Sequence, residues 1–177
     1  MSAAKIALVP LAIVLFSLAL RAQSQTKPEA SPCTQAEFHQ FDYWIGTWSV
    51  AGENQKKSAD VTVTPISADC GLSEHWQSVQ GGRGHDGYGV STFNQSTQNW
   101  EYFWVASNGY TSFWTGRFSE NAMNFVAAQP SPGAAALRHW VMKLLPDGRI
   151  EEVASSSQDD GKTWKVQYTL YWTRVHP

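Results

Sequence analysis

Beyond Gly46 the chain is punctuated by turn residues at the roughly 8 to 12 residue spacing of all-β domains, with short alternating apolar and polar segments between them. This spacing predicts about ten strands: Thr47–Glu53, Ala59–Ser67, Leu72–Gln80, Gly87–Asn94, Trp100–Ala106, Thr111–Phe118, Met123–Ala128, Leu137–Leu145, Ile150–Ser156 and Trp164–Val175. Asn108-Gly109, Glu120-Asn121, Asp147-Gly148 and Asp160-Gly161 suit the links, because these residues tolerate the left-handed backbone of a tight hairpin. Ten antiparallel strands joined in sequence suit an up-and-down barrel, which removes the edges that an open sheet would expose. A sandwich is the alternative. Composition agrees with strands, since the chain after Ala22 holds five Leu against nine Trp and six Tyr.

Ahead of the strands lies a different kind of sequence. Lys5, the uncharged apolar stretch Ile6–Leu20, Arg21 and the small Ala22 have the layout of a signal peptide over residues 1–22. A retained anchor is the alternative, but Pro10 and the short apolar length disfavour a membrane span. Residues 23–32 read as a polar, disordered leader, and residues 33–177 as a single domain. Cleavage removes Lys5 and Arg21 and takes the formal net charge from −2 to −4. With no basic stripe, nucleic acid is not an expected partner, and after cleavage neither is a membrane. The expected setting is periplasmic or secreted. Cys33 and Cys70 in an exported chain point to one disulfide; a metal site or a catalytic thiol would each need further residues that the spacing does not supply. Thr34-Gln35-Ala36-Glu37 has the pattern of a capping box. With Phe38, Phe41 and Trp44 three residues apart, it predicts one short helix from about Gln35 to Tyr43.

Gly46-Thr47-Trp48, where that helix meets the first strand, and Arg174 near the end of the last resemble the calycin superfamily. There a G-x-W turn opens the first strand and a late basic residue packs on its tryptophan. The resemblance implies a structural role for Trp48 and Arg174, a guanidinium over an indole face. More narrowly, Phe41–Trp48, Cys70–Trp76 and the closing hairpin resemble a family of secreted bacterial lipocalin-like domains of unknown function. That likeness implies the barrel and nothing about chemistry.

Inward strand faces rich in rings lead to either a filled core or a cavity walled by rings, and a ten-stranded barrel is wide enough for a cavity. Trp100, Tyr102 and Trp104 share one face, as do Arg138, Trp140, Met142 and Leu144. In the last strand Trp164, Val166, Tyr168, Leu170, Trp172 and Arg174 are expected to face inward together. The expected ligand-binding residues are Trp76, Tyr88, Trp104, Trp114, Trp140 and Trp172, with Glu74 and Arg138 fixing orientation. Glu74 shares a face with Trp76 and Ser78. It is either an acid/base or ligand anchor, or a buried carboxyl satisfied by Arg138, Arg117 or tyrosine hydroxyls.

Other motifs point to structure. Ser157-Gln158-Asp159-Asp160-Gly161-Lys162-Thr163-Trp164 matches the S-x-D-x-G-x-T-W Asp-box, here a turn device. Glu151 and Glu152 are adjacent in a strand, so they face opposite ways and cannot work as one pair. Gly81–Gly87 reads as a mobile loop or lid over the barrel mouth. No histidine spacing suggests a metal site. No cofactor is expected, the alternative being haem on a single axial histidine as in nitrobindin-like barrels. The leading expectation is an exported barrel that binds a small apolar or aromatic molecule. A cofactor-free isomerase, cyclase or lyase using Glu74 as acid/base is the second reading, and a filled protein-interaction module the third.

Overall fold

The computed structural model describes residues 31–80, 85–127 and 137–175. The segments expected to form a signal peptide and most of the expected leader, residues 81–84 of the glycine-rich loop and His176 lie outside them. Alternation and turn chemistry produce ten strands, all close to the expected bounds: β1 (Gly46–Gly52), β2 (Lys57–Ile66), β3 (Gly71–Ser78), β4 (Gly87–Asn94), β5 (Asn99–Ala106), β6 (Thr111–Ser119), β7 (Ala122–Ala127), β8 (Leu137–Leu144), β9 (Ile150–Ser157) and β10 (Lys165–Arg174). Each pairs antiparallel with its sequence neighbours, and β1 pairs with β10, closing an up-and-down barrel with no sandwich split. The hairpin residues adopt the left-handed backbone expected of them, including Gly109, Glu120, Asn121, Gly148, Asp160 and Gly161.

The helical segment before β1 is tighter than expected. It consists of two 3₁₀ turns, Ala36–His39 and Asp42–Trp44. The physical reason lies in the spacing itself: Phe38, Phe41 and Trp44 recur every three residues, the period at which side chains eclipse in a 3₁₀ turn. The capping box does not form, because the cap is Gln35 and its side chain makes no capping bond. These turns plug one end of the barrel. Phe41 and Trp44 are fully buried and stack 4.6 Å apart, with Phe41 edge-on to Trp100. Tyr43 locks the plug by donating to the Met142 carbonyl at 2.6 Å and accepting from the Met123 amide at 3.1 Å.

Arg174 completes the closed end. Its guanidinium lies 4.2 Å over the Trp48 ring and donates to the carbonyls of Ile45 at 2.7 Å and Tyr43 at 3.3 Å. Gly46, at φ 140°, makes this possible, because a Cβ there would overlap Arg174 Nη1. The Cys33–Cys70 disulfide ties the segment before the plug to the start of β3 across a separation of 37 residues. Closing a loop of that length stabilises the fold by about 4 kcal/mol in the chain-entropy picture. Among the described residues no helix is long and apolar enough to cross a membrane.

One strand departs from the expected alternation. A β-bulge between Val166 and Tyr168 sets Val166 opposite Ser155 and Tyr168 opposite Ala154. Trp164 and Val166 are therefore turned to the outer face, where Trp164 packs 5.5 Å from His139. Only Tyr168, Leu170 and Trp172 of that set line the interior. The Asp-box is the turn device it was read as. Asp159 accepts from the Thr163 amide and hydroxyl, and Ser157 Oγ accepts from the Gly161 amide.

Candidate functional site

Above Trp44 the barrel is hollow. A cavity of about 470 Å³ opens at the end opposite the plug. Trp44 backs its wall, packing edge-on or tilted against the lining residues Tyr102, Trp140 and Trp172. Five of the expected aromatic residues, Trp76, Trp104, Trp114, Trp140 and Trp172, line the space together with Glu74 and Arg138. Tyr88 does not. It is 57% exposed and stacks on His75 at 4.3 Å on the outer face. On β4 the inner positions belong to Gly87 and Gly89, because the bulky Trp104 and Tyr102 of β5 fill the room a side chain would need there.

Gly89 also explains how Glu74 is satisfied. Glu74 on β3 sits opposite Gly89, and Tyr102 reaches over from β5 to donate to Glu74 Oε2 at 2.6 Å. A Cβ on Gly89 would stand 2.7 Å from that oxygen. Neither Arg117 nor Arg138 serves the purpose. Arg117 points outward to Asn99, and Arg138 donates to the Tyr110 hydroxyl at 2.9 Å while its guanidinium lies 4.9 Å over Trp114.

A second carboxylate, missed in the sequence, lines the same cavity. Glu152 of β9 accepts from Trp172 Nε1 at 2.7 Å and from the Tyr168 hydroxyl at 3.2 Å. Glu151 faces outward, so the adjacent pair is indeed split; the pairing that matters is Glu152 with Glu74, across the barrel. Glu74 and Glu152 are 3% and 5% exposed. Desolvation pushes Glu74 up to about 8; the Tyr102 hydrogen bond pulls against this and the charge of Glu152 adds to it. Desolvation likewise pushes Glu152 up to about 7, opposed by hydrogen bonds from Trp172 and Tyr168 and by the nearby Trp140 indole. Burial and the same carboxylates hold the Tyr102 and Tyr168 hydroxyls well above the usual tyrosine range.

Near neutral pH, then, the cavity holds two carboxyls poised to exchange protons. Such a pair can donate to one ligand atom and accept from another, or hold a cation. The indole N–H of Trp140 and Nε of Arg138 are buried and find no acceptor in hydrogen-bond geometry among the described residues. Of the described histidines, His39 pairs with Asp42, His75 and His139 pack on the outer face, and none lines the cavity. Among the described residues no group of three or more His, Cys, Asp or Glu could hold a metal. At the rim, Asp86 accepts from the Ser78 amide at 2.8 Å and its carbonyl from the Ser107 amide, fixing the end of the glycine-rich loop. Set against known proteins, the chain matches no protein-family model and no curated sequence.

Proposed function

We propose that this is an exported, lipocalin-like barrel of calycin type that binds a small, largely apolar or aromatic molecule. The observation that carries the reading is the ring-walled cavity of about 470 Å³, closed at one end and open at the other. Concave, mostly apolar sites with a few convergent polar groups are the usual form of small-molecule sites. Export is supported by the signal-like N-terminal sequence and by the Cys33–Cys70 disulfide, which suits an oxidising compartment. Five tryptophans on the wall make binding visible. Across a panel of hydrophobic ligands, quenching of tryptophan fluorescence should saturate for some and weaken markedly in Trp104→Ala. A flat response across the panel would sink the proposal.

The Glu74–Glu152 pair favours a second reading, a cofactor-free isomerase, cyclase or lyase in which Glu74 moves the proton and Tyr102 steadies it. Glu74→Gln separates the two. Retained binding with lost turnover supports the enzyme, and no turnover of any bound compound supports the binder. A filled interaction module has no need of a hollow interior.

A further inference from the structure

We infer that the ligand of this cavity is a small organic cation, a protonated amine or quaternary ammonium held between Glu74 and Glu152 and boxed by Trp76, Trp140 and Trp172. The inference rests on the cavity being a binding site and names what it binds.

Its first support is a missing charge. Among the described residues the groups that bond or approach the two carboxylates are neutral: Tyr102 at Glu74, and Tyr168, Trp172 and the Trp140 indole at Glu152. Among the described residues neither forms an ion pair. Arg138 is the one cation lining the cavity among the described residues; it donates to Tyr110 and lies over Trp114, and it makes no ion pair with either carboxylate. Two buried carboxyls without a cationic partner either keep their protons or wait for a positive charge from outside. The second support is the wall. Indole faces attract a cation through the ring quadrupole, most strongly where water is excluded, and tryptophan is the best of the aromatic side chains for this.

Cation binding in this site is coupled to proton release. The titratable and charged groups facing Glu74 and Glu152 are Tyr102 from β5, Tyr168 from β10, Arg138 from β8 and Tyr110 from the loop before β6. Burial keeps Tyr102 and Tyr168 protonated. The carboxyls alone therefore change charge between pH 5.5 and 8.5. Below their raised pKa values they are neutral and a cation must expel a proton to bind, so affinity for a permanent cation rises with pH, by up to about tenfold per unit for each proton displaced.

The test uses phenyltrimethylammonium and its uncharged isostere tert-butylbenzene, titrated into the full mature chain and followed by tryptophan fluorescence. At pH 8.5 the cation should bind at least tenfold more tightly than the isostere, and the ratio should shrink toward one at pH 5.5. In Glu74→Gln/Glu152→Gln the advantage of the cation over its isostere should vanish at every pH. A ratio at or below one at pH 8.5, or one independent of pH, overturns the cation inference and leaves the apolar-binder proposal standing. Failure of both probes at every pH overturns the two together. If the double variant does not fold, the pH dependence of the ratio in the natural chain decides the matter alone.

Discussion

Burial raises the carboxyls of Glu74 and Glu152 above their ordinary range, and the consequence for stability has a measurable sign. Unfolded, each carboxyl titrates near its ordinary 4.5; folded, they hold their protons to about 8 and 7. Between those limits the native state binds more protons than the unfolded chain, so stability falls as pH rises through the window. Each pKa unit corresponds to about 1.4 kcal/mol. Glu74→Gln should therefore gain on the natural chain as pH goes from 5 to 8.5, by several degrees of Tm, which thermal unfolding followed by near-UV circular dichroism would record. A constant offset between the two curves would disprove the linkage. Glu74 was legible in the sequence because it shares a strand face with Trp76. Glu152 was not, since alternation splits Glu151 from Glu152 without saying which is inside, and its counterpart lies across the barrel. Tyr88 misled for the opposite reason. Bulk usually marks the buried face, yet here Gly87 and Gly89 hold the inner positions and send Tyr88 and Val90 outward.

At the scale of elements, turn residues carried most of the information. A pair such as Asp147-Gly148 fixes where a hairpin bends whatever packs around it, so the strand bounds could be read within one or two residues. What the pattern could not show is the bulge in β10, which depends on how β9 lies beside it. The 3₁₀ plug was half legible: its three-residue aromatic spacing is present in the sequence, but so is a capping box that points to an α-helix. Arg174 binds the last strand to that plug through two carbonyls and the Trp48 face. Arg174→Ala should cost about 1–2 kcal/mol, allowing for the exposure of the guanidinium, and lower Tm by a few degrees. Arg174→Lys should recover only part of this, because an ammonium lacks the planar fork that reaches both carbonyls. Full recovery with lysine would mean that charge alone matters at this corner.

For the whole molecule, closure of the sheet and blockage of one end have a kinetic consequence. Phe41 and Trp44 fill the plugged end, so if the proposed binding holds, a guest should enter and leave by the opposite end. A newcomer cannot push an occupant out from behind; departure must precede arrival. Stopped-flow displacement should then show a release rate that does not change as the competitor is raised from equimolar to a large excess. A rate that climbs with competitor would require room for two guests at once, or a second exit through the plug. At that end Arg138 rests on Trp114 and Asp86 bonds Ser78 and Ser107. Asp86→Ala, which alters that end without touching the cavity lining, should then change entry and release rates by similar factors and leave equilibrium occupancy almost untouched.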